Sequence, residues 1–248
     1  MPDLKKIPEI INPFYNAPVF YIEQTLSTMK LAENTAEIAP GTVYFAGMQT
    51  AGRGRIPGRV WEGAKNKNLL FTLVLPAAKP GVKPLPIIVG LGIALYLEQY
   101  HNLHPSIKWP NDIYLNDRKI AGIIIESRKG LYNIGIGINI NQIELPENIE
   151  SSATSLAIEK SNSFILYSEL ENVLIQLKKA LSMNSWHKEI SSRLYNIGKE
   201  VVLSIGIPGE EKKIKGVVEG LGVSGQLLLR KEGELLEIYS GEVLLQRE

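Results

Sequence analysis

Apolar positions along the chain recur at two spacings, and the places where one replaces the other mark its elements. Stretches that are apolar throughout, or at every second position, have strand length at residues 17–26 (APVFYIEQTL), 41–49 (GTVYFAGMQ), 69–76 (LLFTLVLP) and 131–140 (LYNIGIGINI). Between the first two, STMKLAENTAE reads as a short helix with Ser27 or Thr28 placed to cap it. An apolar helix is expected over about residues 85–100. Three short strands follow, around SIKW, DIYL and KIAGIIIES, the last two joined by a hairpin turn at NDR. Residues 162–182 place apolar side chains three and four apart, which predicts a long amphipathic helix packed on the sheet. From Glu200 onward short strands alternate with turn signals: EVVLSI, KIKGVVEGL, QLLLRK and LLEIYSGEVLL. That change of pattern near Asn196 and Gly198 divides the chain into residues 1–196 and a small all-β unit, residues 197–248, expected to form a partly closed barrel.

Composition narrows what such a molecule does. The formal net charge is +1, against the large basic excess of a general nucleic-acid binder. There is no cysteine, so thiol catalysis, disulfides and zinc-thiolate sites are excluded. Neither a signal-peptide layout nor a membrane-length apolar run is present, and a cytoplasmic protein is expected. Against that neutral total, residues 50–61 (TAGRGRIPGRVW) carry three arginines and three glycines, with Lys65 and Lys67 close behind and only Glu62 opposing. Glycines let the backbone approach a ligand, and guanidinium forks match carboxylate and phosphate oxygens, so the segment reads as an anion-binding loop that repels itself until something negative orders it.

Three other segments put polar groups where strands predict burial. SIKWPNDIYLNDRKIAGIIIES sets Lys108, Asn111, Asp112, Arg118 and Lys119 among apolar residues, with Pro110 stiffening the turn that presents Asn111 and Asp112. Lys108 reads equally as a structural partner for a carboxylate and as a ligand contact. GIGININ alternates glycines with larger residues along a strand, a pattern that marks close approach by a ligand or another backbone. Gln49 closes the strand that feeds the basic loop. GLGVSG (residues 220–225) matches a dinucleotide glycine pattern, but a strand follows it where a helix N-terminus would be needed, so it is read as a turn. His101 and His104 lie near a helix end with no third ligand in view.

Taken in order, QTAGRGR, a tryptophan closing the loop, KWPNDIYL, RKIAGIIIE, GIGININ and a final YSGEVLL resemble biotin protein ligases, from about residue 20 to the end. The resemblance implies an α+β fold: a mixed, largely antiparallel sheet flanked by helices, of the class II aminoacyl-tRNA-synthetase-like type, followed by a small SH3-like β-barrel. It implies that Ser27, Thr28 and Gln49 line a biotin ureido pocket, and that Gly52, Arg53 and Arg55 hold the biotin carboxylate and the nucleotide α-phosphate. Trp61 would pack beside adenine. Asn111 and Asp112 would lie at the nucleotide end, Asp112 also toward Mg²⁺ carried by ATP, and Lys119 would touch the carboxylate and the adenylate bridge. Gly122 and Ile123 would offer backbone contacts to biotin, while Gly135, Ile136 and Asn139 would complete the two pockets. Arg53, Arg55 and Lys119 are the implied catalytic set. The partner implied is a biotin carboxyl carrier protein, with one copy or two of this chain left open and no DNA, since the chain begins at the catalytic region.

Two departures from the family pattern are visible: Met29 stands where an Asn commonly follows the Ser-Thr pair, and Ile56-Pro57 adds one residue before Gly58 and Arg59. The rival readings are a lipoate-type ligase, which KWPND followed by RKIAG disfavours, and a nonenzymatic RNA-binding module, which the 7% aromatic content disfavours.

Overall fold

The structure, a computed structural model, describes residues 3–35, 37–77, 84–206 and 210–244. Ala36 of the first expected helix and Leu245 of the last expected strand fall outside them. In chain order the elements are β1 (Lys5–Lys6), β2 (Val19–Thr25), α1 (Thr28–Asn34), β3 (Val43–Gln49), β4 (Asn68–Pro76), α2 (Leu85–His101), β5 (Ser106–Lys108), β6 (Asp112–Leu115), β7 (Arg118–Arg128) and β8 (Leu131–Asn139). Then come α3 (Leu156–Lys160), α4 (Leu166–Ser182), α5 (Trp186–Ser191), β9 (Glu200–Ile205), β10 (Lys212–Leu221), β11 (Leu227–Lys231), β12 (Glu234–Ile238) and β13 (Glu242–Leu244). The first eight strands form one sheet in the order β1-β2-β3-β4-β8-β7-β6-β5, parallel only between β2 and β3. The last five form a second, antiparallel sheet in the order β12-β11-β10-β9-β13.

Period-two alternation gives the large sheet two faces with different duties. Phe45, Phe71, Leu73, Ile123, Ile134, Ile136 and Ile138 point into the main apolar cluster with α2 and α4. Their neighbours Tyr44 and Val74 join Ala32 of α1 in a smaller cluster on the other face. Helix α2 is buried nearly all round because α4 covers the side that the sheet does not. Here the structure corrects the sequence reading: α4 begins at Leu166 and packs chiefly on α2, touching the sheet at β4. The four residues before it are drawn off by Asn141, whose Oδ1 accepts from Phe164 N at 2.8 Å and whose Nδ2 donates to Phe164 O at 2.8 Å.

The main cluster runs without a break into the second sheet through Leu203, Val218 and Leu229. GLGVSG ends β10 at Leu221 and turns through Gly222–Gly225 into β11, with no helix after it. Gly225 sits at φ +84°, and its carbonyl accepts a 3.0 Å hydrogen bond from Trp109 Nε1, which joins the two sheets beside KWPND.

Candidate active site

The face of the large sheet opposite α2 is stripped of side chains at three points. Gly122 on β7 is the register partner of Gly137 on β8, and Gly135 lies two residues from Gly137 on the same face. A Cβ on Gly137 would stand 2.6 Å from Trp61 Cε2, one on Gly122 would stand 2.9 Å from Trp61 Cζ3, and one on Gly135 would stand 2.6 Å from Met29 Sδ. The alternating glycines of GIGININ therefore make a floor on which two side chains lie flat. The close approach expected of a ligand or backbone is made here by Trp61 and Met29. Trp61 Nε1 is buried without a hydrogen-bond partner.

At one end of this floor α1 begins. Ser27 occupies the N-cap position with extended backbone, yet its side chain makes no capping bond, and Thr28 does not cap either. Thr28 turns inward: its N and Oγ1 both donate to Gln49 Oε1, at 2.8 and 3.1 Å, and its Oγ1 accepts from Thr72 at 2.8 Å. Ser27, Thr28 and Gln49 thus form a polar wall, with Ser27 and Thr28 buried.

Strict alternation along β7 would put Lys119 and Gly122 on opposite faces. A bulge prevents this: Ile113 pairs with Ala121 but Tyr114 pairs with Lys119, leaving Ile120 unmatched and buried in the main cluster. The backbone of Lys119 is pinned from the other side, its N donating to Ser152 O and its O accepting from Thr154 N. Its ammonium consequently reaches over Gly122 and stands 5.5 Å from the Trp61 ring centre. It also lies 2.8 Å from Asp112 Oδ1, an ion-pair separation without hydrogen-bond alignment. The hairpin that brings Asp112 and Lys119 together turns through Asn116 and Asp117, both at positive φ, as a two-residue primed turn needs.

The basic loop folds back as a hairpin with an Arg53–Val60 bridge, Gly54 N donating to Arg59 O and Trp61 N to Gly52 O. The extra residue is absorbed at the tip, where Arg59 N donates to Ile56 O and Gly58 takes φ +83°. The cations find partners on other elements: Arg53 with Glu126 at 2.7 Å, Arg55 with the Gly241 carbonyl at 2.7 Å, Arg59 with both oxygens of Glu242, and Lys65 with Glu23. Exposed pairs of this kind contribute roughly 0–1 kcal/mol, so an incoming anion displaces them at little cost.

Three cavities open over this surface, and the third, between the loop and KWPND, is lined by Arg55, Lys108, Asn111, Asp112, Lys119 and Glu242 among others. The first, about 490 Å³, is bounded by the Ser27-Thr28-Gln49 wall, the glycine floor, Arg53, Arg55, Asn111 and Lys119. Ile123 and Ile136 border it with their side chains in the main cluster behind. Gly52 lines none of these cavities and is packed on the Trp61 backbone. The second cavity, about 1480 Å³, is lined by Lys108, Asp112, Tyr114, Asn139 and Glu242, among others. Trp61 and Lys119 line both. Asn111 lines the first cavity and donates to Ile123 O at 2.9 Å, Asp112 lines the second, and both border the third. Asn139 is buried, its Nδ2 donating to Thr154 O at 3.0 Å.

Several lining residues escaped the sequence reading. Gly137 belongs to the GIGININ motif, and its role was legible from the alternation with Gly135. Glu242 lies in YSGEVLL, but nothing local tells that a strand of the second sheet reaches Arg59. Leu145, Ile149 and Ala153 come from a stretch without periodicity and enter the second cavity only through the pairing of residues 152–154 with Lys119. His101 is 2.8 Å from Glu169 and 3.1 Å from Tyr96, a buried link between α2 and α4 that lines neither cavity.

Two cavities that meet over one ammonium suit an enzyme that must bring two anionic substrates together, the requirement of an acid-activating ligase. The chain belongs to the biotin/lipoate A/B protein ligase family, whose model matches residues 21–141. It is 30% identical to the bifunctional ligase/repressor BirA of Bacillus spizizenii over 92% of this chain and 74% of that protein. It is 28% identical to the biotin--[acetyl-CoA-carboxylase] ligase of Mycobacterium tuberculosis over 82% of this chain and 79% of that one. The solved biotin protein ligase of Aquifex aeolicus in complex with biotin and ATP superimposes with a TM-score of 0.83 at 32% identity, covering 93% of this chain and 99% of that structure.

Proposed function

We propose that the first cavity takes biotin and the second takes ATP, so that the biotin carboxylate meets the α-phosphate at Lys119. The protein is an ATP-dependent biotin protein ligase. One observation carries the arrangement: Lys119 and Trp61 are the side chains both cavities share. In the first step a biotin carboxylate oxygen attacks the α-phosphorus, the bond to the β-phosphate oxygen breaks, and pyrophosphate leaves with the electron pair. In the second, a lysine amine of the acceptor attacks the activated carbonyl, loses a proton, and AMP departs.

Each residue has its part in this scheme. Gln49 and Thr28, with Ser27, offer the donors and acceptors that a ureido ring needs. Arg53 exchanges Glu126 for the biotin carboxylate, Arg55 leaves the Gly241 carbonyl for the α-phosphate, and Lys119 neutralises the bridge oxygens as they form. Gly52, Gly122, Ile123, Gly135 and Ile136 supply backbone contacts. Trp61 and Asn139 face the base, Asn111 steadies the sheet beside it, and Asp112 faces the phosphates. Among the described residues no group of three acidic or histidine side chains could hold a metal alone. Asp112 is a single carboxylate, which fits Mg²⁺ arriving on the nucleotide, where it supplies charge neutralisation to the leaving pyrophosphate. The acceptor in this reading is a biotin carboxyl carrier protein of acetyl-CoA carboxylase, met in the cytoplasm. Among the described residues no helix is long and apolar enough to cross a membrane.

Pyrophosphate exchange into ATP tests the reading directly: biotin supports exchange and lipoate does not. Exchange with lipoate alone would overturn it in favour of the sister activity. Lys119→Ala and Arg53→Gly are each expected to lower the exchange rate by about 10² to 10³, the usual loss for a preorganised donor at developing charge. A variant that forms adenylate at the wild-type rate removes that residue from the catalytic set.

A further inference from the structure

The second cavity contains one cation that its own carboxylates do not take. Lys119 stands against Asp112, and Arg59 is held by both oxygens of Glu242. Lys108 lines the same cavity, is 7% exposed, and has no ion-pair partner among the described residues. Its neighbour across the β5-β6 hairpin is Asp112, whose carboxylate is turned to Lys119. What holds Lys108 in place is aromatic: Nζ lies 3.4 Å from Tyr114 Oη and 5.1 Å from the centre of that ring. The Tyr114 ring is backed in turn by Tyr195 at 5.1 Å, and Tyr195 Oη donates to Asp117.

A phenol neutralises nothing, and a desolvated ammonium without an anion costs stability. Burial pushes the Lys108 amine below the usual lysine range, with Asp112 and Glu242 opposing that shift and Lys119 and Arg59 adding to it. A positive group kept at that cost, on a rigid hairpin and facing a cavity, is poised for an anion from outside the protein.

We propose that Lys108 is a substrate-contacting residue that receives the β- and γ-phosphoryl oxygens of ATP and then the pyrophosphate that leaves. The inference rests on the reading of the second cavity as the nucleotide site. The cations then divide between two roles. Arg55 lines the first cavity, Lys108 the second and Lys119 both, and all three border the cleft between them, so Arg55 and Lys119 serve the α-phosphate and Lys108 the leaving group.

The test is calorimetric titration of Mg²⁺-pyrophosphate and, separately, AMP into wild type, Lys108→Met and Lys108→Arg, with thermal unfolding of each. Lys108→Met is expected to weaken pyrophosphate binding by roughly tenfold to a hundredfold, the worth of a charge-assisted hydrogen bond, and to leave AMP binding unchanged. Its Tm should hold or rise, since an unpaired buried charge is replaced by an apolar chain of similar length. Lys108→Arg should restore part of the pyrophosphate affinity. Undiminished pyrophosphate binding with a lowered Tm would make Lys108 a structural lysine and overturn the proposal; so would a loss confined to AMP. If Lys108→Met does not fold, wild-type crystals soaked with Mg²⁺-pyrophosphate decide the matter: a phosphoryl oxygen within hydrogen-bond distance of Lys108 Nζ supports it, and pyrophosphate bound elsewhere ends it. Biotin-dependent exchange by wild type separates the two levels. If exchange occurs and Lys108→Met matches wild type, only this inference fails; if wild type neither exchanges nor binds pyrophosphate, the nucleotide reading fails with it.

Discussion

Gly137 and Gly135 face the same cavity, yet a methyl group would be felt differently at each. At Gly137 the new Cβ meets the rigid indole of Trp61, backed by Gly122 on the next strand. At Gly135 it meets the thioether of Met29, an unbranched chain with room to rotate. Overpacking against a fixed ring costs about 1–3 kcal/mol, so Gly137→Ala is expected to lower stability by that amount and to push Trp61 out of both cavities, raising KM for biotin and for ATP. Gly135→Ala should cost less and act on biotin alone. Thermal unfolding and steady-state kinetics read both, and equal effects from the two variants would refute the platform role of Gly137. Lys108 carries a second prediction at this scale. Its folded pKa lies below that of an unfolded lysine, so between those two values the unfolded chain binds more protons and stability rises with pH. The penalty is fully present below the folded pKa. The Tm advantage of Lys108→Met over wild type should therefore shrink as pH rises toward the ordinary lysine range, and a difference independent of pH would contradict it. Much at this scale was legible in the sequence: the glycine alternation announced a bare floor, and the KWPND lysine stood out among apolar neighbours. What occupies the floor was not legible, because Met29 and Trp61 arrive from other elements.

Between elements, the tie that matters most for α2 and α4 is polar. Tyr96 Oη donates to Glu169, His101 stands 2.8 Å from the same carboxylate, and all three side chains are buried. Burial and the Glu169 charge together hold the Tyr96 phenol well above its ordinary value, so it serves as a permanent donor. Glu169→Ala removes the shared acceptor and leaves the buried Tyr96 hydroxyl and His101 Nε2, 3.1 Å apart, with only each other. Its expected cost is about 1–3 kcal/mol, measured by denaturant unfolding, and a loss under about 1 kcal/mol would show that the cluster is not a structural tie. The elements that periodicity announced were those whose burial is decided locally: β4 and α2 are apolar over most of their length, and the Asn116-Asp117 turn carries its own chemistry. The β7 bulge and the late start of α4 were not announced. Each depends on a hydrogen bond from a distant segment, Ser152 and Thr154 in one case and Asn141 in the other.

Across the whole molecule, the second sheet holds the basic loop at two points: Arg55 donates to the Gly241 carbonyl, and Arg59 is gripped by Glu242 at the start of β13. A third link runs from Trp109 to Gly225, and a fourth from His187 to the Leu221 carbonyl at 2.8 Å, so the sheet that anchors the loop is itself fixed to the site. This makes the position of the loop depend on residues more than 180 positions away in the chain. The Arg59 side chain is 58% exposed, so replacing Glu242 with glutamine should change global stability by less than about 1 kcal/mol. Its effect on the loop should be larger, because the loop has few other anchors and opens locally without unfolding the sheet. Glu242→Gln is therefore expected to speed tryptic cleavage after Arg55 and Arg59 severalfold while Tm stays nearly constant. KM for ATP should rise more than KM for biotin, because Glu242 and Arg59 line the second cavity and not the first. Cleavage at the wild-type rate would mean that the loop is held by its own hairpin, and the second sheet would then have no part in placing it.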